Sequence, residues 1–503
     1  MIKLLIEPGF PMRCLHKGLW SEAQSSWIIL YLKFLRFVNF IRLTYRGDIM
    51  KRALIVAFLL VVFSSVCFAE DLLSVSGRMN LRGVLPLHNN ETATEYPSLL
   101  GRLKVDTTPP KWRFHMWLEG GWDGSADLKA EGHSVLKGWS EVYQSTPLFL
   151  EFKELYGSYS NNFLELRAGI QRFAWGRLDE YPINDLLNPW DYTQFLRKSL
   201  EDRKIGVPSI SARLNKRDWN MELVWVPLLV PYRLPLFTER WSVFPEIATL
   251  AEKYDAEIIH QNGDLPSRNM ENSSVGLRIQ SSGTVDWGVT LFHGYDLRPV
   301  FKTTESVISL ISGQVVVNPG AEPDFHKMSS IGIDAAFVKG DWSWRAEAAY
   351  AIGRYHNTRY ELWGYPSTPS LGTYKLNSNE HQSDTVAYGI GVDYRLFEDC
   401  LLTMQAQQTL INDRPDTLYD RQFETIIWVN LKNFFMNQKI ETNLNLAYNP
   451  EHGDTMTKVN AWYVFTDAWK VGITATGFDG PSQSLFGRYS KNDQVEIDVI
   501  FSW

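Results

Sequence analysis

The chain has 503 residues, with 50 Lys and Arg against 57 Asp and Glu, a formal net charge of −7. Charged residues make up 21% and are spread along the chain, and no stretch after residue 70 approaches the roughly 20 apolar residues a spanning helix needs, so a helical membrane protein is excluded. Aromatic residues reach 14%, an excess that fits either aromatic girdles at two membrane interfaces or a carbohydrate-binding soluble β-protein.

The first element in chain order is a leader. Residues 50–69 read M-K-R-A-L-I-V-A-F-L-L-V-V-F-S-S-V-C-F-A: Lys51 and Arg52, an apolar run from Ala53, then small residues up to Ala69. This is the pattern of a Sec signal peptide cleaved after Ala69. Cys67 raises a lipoprotein alternative, against which the bulky Val66 argues. Residues 1–49 do not fit a secreted chain, because Met50 sits where a leader begins. They are read as mis-assigned upstream translation; the alternative is a basic amphipathic extension over Trp27 to Leu43, with Lys33, Arg36 and Arg42. Without residues 1–69 the chain carries 41 basic and 54 acidic residues, a net of about −13 and no nucleic-acid footprint. Only Cys400 remains of three cysteines, so no intrachain disulfide is expected.

From residue 72 one unit repeats: a strand of about ten residues, a very short turn, another strand, then a long polar connection. Strands are predicted to start near 72, 97, 111, 150, 163, 206, 218, 273, 285, 327, 341, 384, 399, 421, 438, 455, 468 and 492. Short turns fall at Thr107–Pro110, Ser160–Asn162, Asn215–Asp218, Ser282–Thr284, Lys339–Gly340, Phe397–Glu398, Asn433–Asn437 and Thr466–Asp467, rich in Gly, Asn, Asp and Pro. Period-two alternation is clean. Trp112, Phe114, Met116 and Leu118 oppose Arg113, His115 and Glu119; Leu164, Leu166, Ala168 and Ile170 oppose Glu165, Arg167 and Gln171; Trp342, Trp344, Ala346 and Ala348 oppose Arg345 and Glu347.

The closing strand, Val495 to Trp503, puts Val495, Ile497, Val499, Phe501 and Trp503 on one face and Glu496, Asp498 and Ser502 on the other. Ending on an aromatic, it resembles the C-terminal assembly signal of bacterial outer-membrane barrels, with Phe501 and Trp503 as the signal residues. An ordinary amphipathic strand of a soluble sheet is the alternative for this segment alone. A soluble sandwich has no reason to keep long connections on one side through eight hairpins. Backbone groups in lipid must pair, so a spanning sheet must close, with short periplasmic turns, long extracellular loops and an even strand number. The expected fold is therefore all-β: a transmembrane antiparallel β-barrel over 70–503 of about 18 strands, within 16 to 20 because Trp139–Ser145 or Ser306–Val317 could add strands.

The densest cluster of marks lies between Lys153 and Arg203: a tyrosine-bearing hairpin, the Gly-x-Gln-Arg strand at Gly169–Arg172, Trp175-Gly176-Arg177, Asn188-Pro189-Trp190-Asp191, and Glu201-Asp202-Arg203-Lys204. Over roughly residues 148–236 these resemble an uncharacterised, porin-like family of outer-membrane barrels, classed as a domain of unknown function. The resemblance implies an outer-membrane location and transport of apolar or anionic small molecules, and it names no catalytic residue.

Residues alone make 175–205 a long loop of interleaved charges. Folded into the lumen it would narrow a pore lined by Arg167, Gln171, Arg177, Asp179, Asp185, Asp191, Glu119, Arg345 and Glu347, since rings of charge set selectivity. Otherwise it is a salt-bridged surface loop over the barrel top. In the loop 228–272, Ile247, Leu250, Ala251, Tyr254 and Ile258 recur at helical spacing and predict a short amphipathic helix. Catalysis is not expected: there is no G-x-S-x-G elbow and no Cys-x-x-Cys-His haem site. The scattered histidines, among them His115, His293, His326 and His356, suit a wet lumen, so no metal and no cofactor are expected. The expected function is a porin-like channel of a Gram-negative cell envelope, exported through the Sec pathway and passing small solutes through a charged, loop-narrowed lumen. A plugged barrel for lipid or other hydrophobic compounds, and an outer-membrane enzyme or adhesin, are the alternatives. Expected partners are outer-membrane lipid, the barrel assembly machinery and a small-molecule solute, with a homo-oligomer left open.

Overall fold

The computed structural model describes residues 73–88, 98–107, 111–123, 141–145, 148–234, 241–242, 257–258, 266–267, 269–303, 305–311, 314–318, 321–358, 372–375, 380–418 and 420–503. The leader, residues 1–49, and most of the predicted helix positions lie outside them. The barrel strands are β1 (Leu73–Pro86), β2 (Ser98–Thr107), β3 (Trp112–Asp123), β4 (Leu148–Ser160), β5 (Leu164–Gln171) and β6 (Val207–Lys216). Next come β7 (Trp219–Val226), β8 (Ser274–Ser281), β9 (Asp286–Tyr295), β10 (Lys327–Lys339), β11 (Trp342–Asn357) and β12 (Glu380–Phe397). The set ends with β13 (Cys400–Ile411), β14 (Phe423–Phe435), β15 (Ile440–Asn449), β16 (Asp454–Val464), β17 (Trp469–Asp479) and β18 (Gln494–Ser502).

Each strand pairs antiparallel with its neighbours in sequence, and β18 pairs with β1, from Arg78 opposite Ser502 to Pro86 opposite Gln494. The ring is a closed barrel of 18 strands. Closure is what the backbone requires where no water can satisfy an edge. The wall strands begin within four residues of the predicted starts. The segments that could have changed the count do form strands, but outside the ring. Among the described residues, Glu141–Ser145 pairs only with the start of β4, beside the gap left where the short β5 ends at Gln171. Glu305–Ile311 and Gln314–Asn318 belong to a separate four-stranded sheet among the long connections.

Two local expectations are corrected. Asn433 is not in the turn: it pairs with Cys400 and Thr442, because Phe434 and Phe435 extend β14. The reversal instead uses Met436, Asn437 and Gln438, all left-handed at φ of 52°, 55° and 64°. Ile258, predicted on a helix, lies in a two-residue strand parallel to Val316 and Val317, where strand pairing overrides helical spacing.

The alternation decides what each face meets. Leu81, Leu166, Ile210, Leu223, Ile333, Ile390 and Ile497 are exposed on the outside. A continuous apolar surface of that extent is costly in water and suits hydrocarbon. Toward the short turns the outer face turns aromatic: Trp112, Trp219, Trp287, Trp342 and Trp469 are exposed there. Trp112 packs on Tyr159 at 4.8 Å between ring centroids and Trp342 on Tyr394 at 4.2 Å. Amphipathic rings gather where hydrocarbon gives way to water. On the inner face of the closing strand, Asp498 accepts from Arg82 Nε at 2.6 Å and from Asn80 Nδ2 at 3.0 Å.

Candidate functional site

Residues 172–206 leave the wall at Gln171 and return to it at Val207. Between these points they touch inward-facing side chains on opposite sides of the ring: Glu154 on β4, Glu222 on β7, Asp334 on β10, Glu347 on β11, Gln405 on β13, Trp428 on β14, Lys458 on β16 and Glu496 on β18. A segment that reaches all of these lies inside the lumen and is not a cap over the top.

The neck of the insertion is closed by Asn188, which is fully buried. Its Nδ2 donates to Gln171 O at 3.1 Å and Ile205 O at 2.8 Å, and its Oδ1 accepts from Phe173 N at 2.6 Å. Three backbone groups that could not reach water are thereby satisfied by one amide. Gln171 also belongs to the neck. Its amide donates to Ser209 O at 2.9 Å and accepts from Ser211 Oγ at 2.9 Å, so it faces wall rather than water.

The strongest seat is Glu347. Leu178 N donates to its Oε1 at 2.6 Å, with Arg177 N on the same oxygen, while Ile183 N and Asn184 N donate to Oε2 at 2.8 and 3.0 Å. Four backbone donors of the insertion thus converge on one wall carboxylate, a charge-assisted arrangement. Gly176 makes the approach feasible. It is left-handed, at φ 99°, and a Cβ there would lie 2.7 Å from Glu347 Oε1. Arg177 then reaches Asp334 Oδ1 with Nε at 2.6 Å; Asp334 is also held by Arg278, at 2.8 and 2.9 Å to its two oxygens. Asp179 pairs with Arg345 NH1 at 2.6 Å, and Arg345 NH2 with Asp393 at 2.7 Å.

The returning half is seated by charge and by rings. Asp191 takes Lys198 Nζ at 2.8 Å, with Arg233 NH1 at 3.8 Å. Burial alone would raise the Asp191 carboxyl, but Lys198, Arg233 and Lys153 hold it well below the usual carboxylate range. Asp185 behaves oppositely. Burial pushes it up to about 6, against the pull of its ion-pair partner Lys204. Asp202 pairs with Arg102, which also holds Glu119. Phe195, left-handed at φ 45°, packs in tilted and edge-on contacts among Tyr489, Phe478 and Phe486 at 4.4, 6.1 and 6.3 Å between ring centroids. Two apolar clusters result: Phe173, Trp175, Leu187, Ile205 and Val224 near β6 to β9, and Phe195, Trp241, Trp428, Phe486 and Tyr489 across the lumen.

Of the residues singled out by sequence, Arg177, Asp179, Arg345 and Glu347 come together, while Glu119 meets the insertion's other end through Arg102. Gln171, Asp185 and Asp191 are buried in the seam. Arg167 is apart from it, on the wall with Glu165 at 2.7 Å. Phe501 and Trp503 lie at the short-turn rim, their rings stacked at 5.6 Å. Asp334, Arg278, Gln405 and Asp393 were missed. Their inward parity is legible from alternation, but their position opposite the insertion is not.

No family model matches the sequence, and no curated protein matches it. Among solved structures, OccAB4 of Acinetobacter baumannii is 9% identical over 86% of this chain and 98% of that one, with a TM-score of 0.47. OccK8 (OprE) of Pseudomonas aeruginosa is 10% identical, over 87% and 98%, with a TM-score of 0.45. OmpF of Salmonella typhi, in complex with daunomycin, is 9% identical, over 87% and 99%, with a TM-score of 0.40. The likeness is one of barrel shape, and the residue roles above rest on this chain's own geometry.

Proposed function

We propose that this chain is a porin-like outer-membrane channel in which residues 172–206 narrow the lumen and small solutes pass beside them. The observation that carries this reading is the seating of the insertion on Glu347, Asp334 and Arg345 on one side and on Glu496 and Lys458 on the other. Charges on both edges of such a constriction act on a permeating ion at close range. Around the wall from β14 to β2, Lys432, Lys470, Arg78 and Lys104 all have inward parity; Lys432 is paired with Glu441 at 2.7 Å, and Lys470, Arg78 and Lys104 are the inward cations that favour anionic solutes. In this reading the leader directs export through the Sec pathway, the assembly machinery reads Phe501 and Trp503, and the outer face meets outer-membrane lipid. The function is passage rather than catalysis.

Planar-bilayer conductance tests it. Deleting 178–200 should raise single-channel conductance, and a salt gradient should give a reversal potential of anionic sign; unchanged conductance in a correctly folded barrel sinks the constriction. The two apolar clusters within the lumen favour a second reading, a plugged barrel serving hydrophobic compounds. That reading expects no ion conductance from the intact chain, together with uptake of an apolar fluorophore into the barrel.

A further inference from the structure

At the long-loop rim, away from the insertion, three side chains of metal-ligating chemistry converge. His326 immediately precedes β10, Asp324 ends the short strand Ala321–Asp324, and Glu380 opens β12. His326 Nε2 lies 2.7 Å from Glu380 Oε2 and 3.4 Å from Asp324 Oδ2, and the ligand atoms of all three lie within 4.8 Å of one another. Metal–ligand bonds of about 2.0–2.2 Å place neighbouring donors roughly 3–3.5 Å apart, so the cluster needs only a small adjustment to surround an ion. The donors are also pre-set. The His326 ring stacks flat on Tyr355, at 3.7 Å between centroids and 13° between planes, which fixes the direction of Nε2. Phe325 N holds Asp324 Oδ1 at 2.9 Å, leaving Oδ2 toward the histidine. Glu380 Oε1 is shielded from water and, among the described residues, has no hydrogen-bond partner, a cost that a bound cation removes.

We propose that Asp324, His326 and Glu380 form a binding site for a divalent transition-metal ion of the zinc type. One imidazole nitrogen with two carboxylates suits Zn²⁺ and its neighbours better than Ca²⁺ or Mg²⁺, which take oxygen alone. Three protein ligands leave a further position for water or a solute group. The site adjoins a recess lined by Arg298, Arg354 and Tyr355. Lys302 already places its ammonium against Asp324, and it is the cation that the ion displaces. Binding ties the connection that ends in Asp324 to the start of β12. Nothing in this proposal depends on what the lumen passes.

Calorimetric titration of the full chain, folded in detergent micelles at pH 7.5, tests it with Zn²⁺ as the probe and Mg²⁺ as the control. The expected result is one saturable Zn²⁺ site per chain, unaffected by excess Mg²⁺. His326→Gln and Glu380→Gln should each weaken it at least about tenfold. Lys302→Ala, on an exposed side chain, should tighten it by removing the competing ammonium. His293→Gln should leave binding unchanged. Heat-modifiable gel mobility confirms that each variant is folded; where His326→Gln is not, Glu380→Gln and Lys302→Ala decide. The proposal is overturned by the absence of a saturable site, by full-affinity binding in the ligand variants, or by weaker binding in Lys302→Ala.

Discussion

Removing the carboxylate of Glu347 should unseat the lumen insertion. It is buried and accepts from four successive or near-successive backbone donors, at Arg177, Leu178, Ile183 and Asn184. Hydrogen bonds to a charged group contribute about 1.5–3 kcal/mol each, and a buried donor left unpaired costs about 1–3 kcal/mol. The four share one acceptor and so are not additive, and lumen water can reach some of them once the contact opens. Glu347→Ala is therefore expected to destabilise the seated state by about 3–5 kcal/mol, the scale for breaking one side of a buried ionic cluster. At about 1.4 kcal/mol per tenfold, the unseated fraction should rise by roughly two to three and a half orders of magnitude. Glu347→Gln keeps one carbonyl oxygen, enough for two of the four donors, and should fall between. Limited trypsin digestion of the folded barrel reads the unseated fraction directly, through cleavage at Arg177 and Lys198, and bilayer recordings should show larger, noisier openings. Equal protection and equal conductance in wild type and Glu347→Ala would refute the reasoning.

Gly176→Ala adds a Cβ 2.7 Å from Glu347 Oε1 at a left-handed position, so it should cost about 1–3 kcal/mol and raise trypsin sensitivity in the same direction as Glu347→Gln; unaltered protection would show that the wall can yield there. Asp185 is raised above its ordinary value to about 6, so the folded state gains a proton first. The seam should tighten as pH falls from about 6 toward 4 and change little above that window, and at lower pH Asp191 and Asp202, both depressed, begin to lose their partners. Asp185→Asn should lack the gain between pH 6 and 4 in the midpoint of heat modifiability; parallel pH curves would count against it. The Trp503 ring lies where a side chain on Gly77 would be. Trp503→Ala should therefore leave a gap at the closing seam between β18 and β1 and lower the yield of heat-modifiable barrel in the outer membrane. Normal yield would argue that the backbone pairing of Gly77 with Trp503, at 3.1 Å in both directions, is sufficient.

The ring was legible because its cause is local. Alternation of period two, as in Leu164–Gln171 or Trp342–Tyr350, assigns each side chain to lipid or lumen before any partner is known. Where that local signal is weak, the sequence misled. Asn433 has turn chemistry, yet Phe434 and Phe435 carry β14 past it. Ile258 keeps helical spacing, but its backbone pairs with a strand about sixty residues later in the chain.

The insertion divides the two kinds of information most clearly. Trp175-Gly176-Arg177, Asn188-Pro189-Trp190-Asp191 and Glu201-Asp202-Arg203-Lys204 stand out as a dense, mixed-charge segment, and the sequence alone left a lumen constriction and a surface cap as alternatives. The choice lies in partners far away in the chain. Glu347 is more than 160 residues from Asn184, and Glu496 about 300 from Arg197. A strand's face follows from its own residues, because it depends only on backbone geometry and on whether each side chain prefers water. The seating of a loop inside the barrel depends on which carboxylates, amides and rings the closed ring brings opposite it, and only the tertiary structure supplies that.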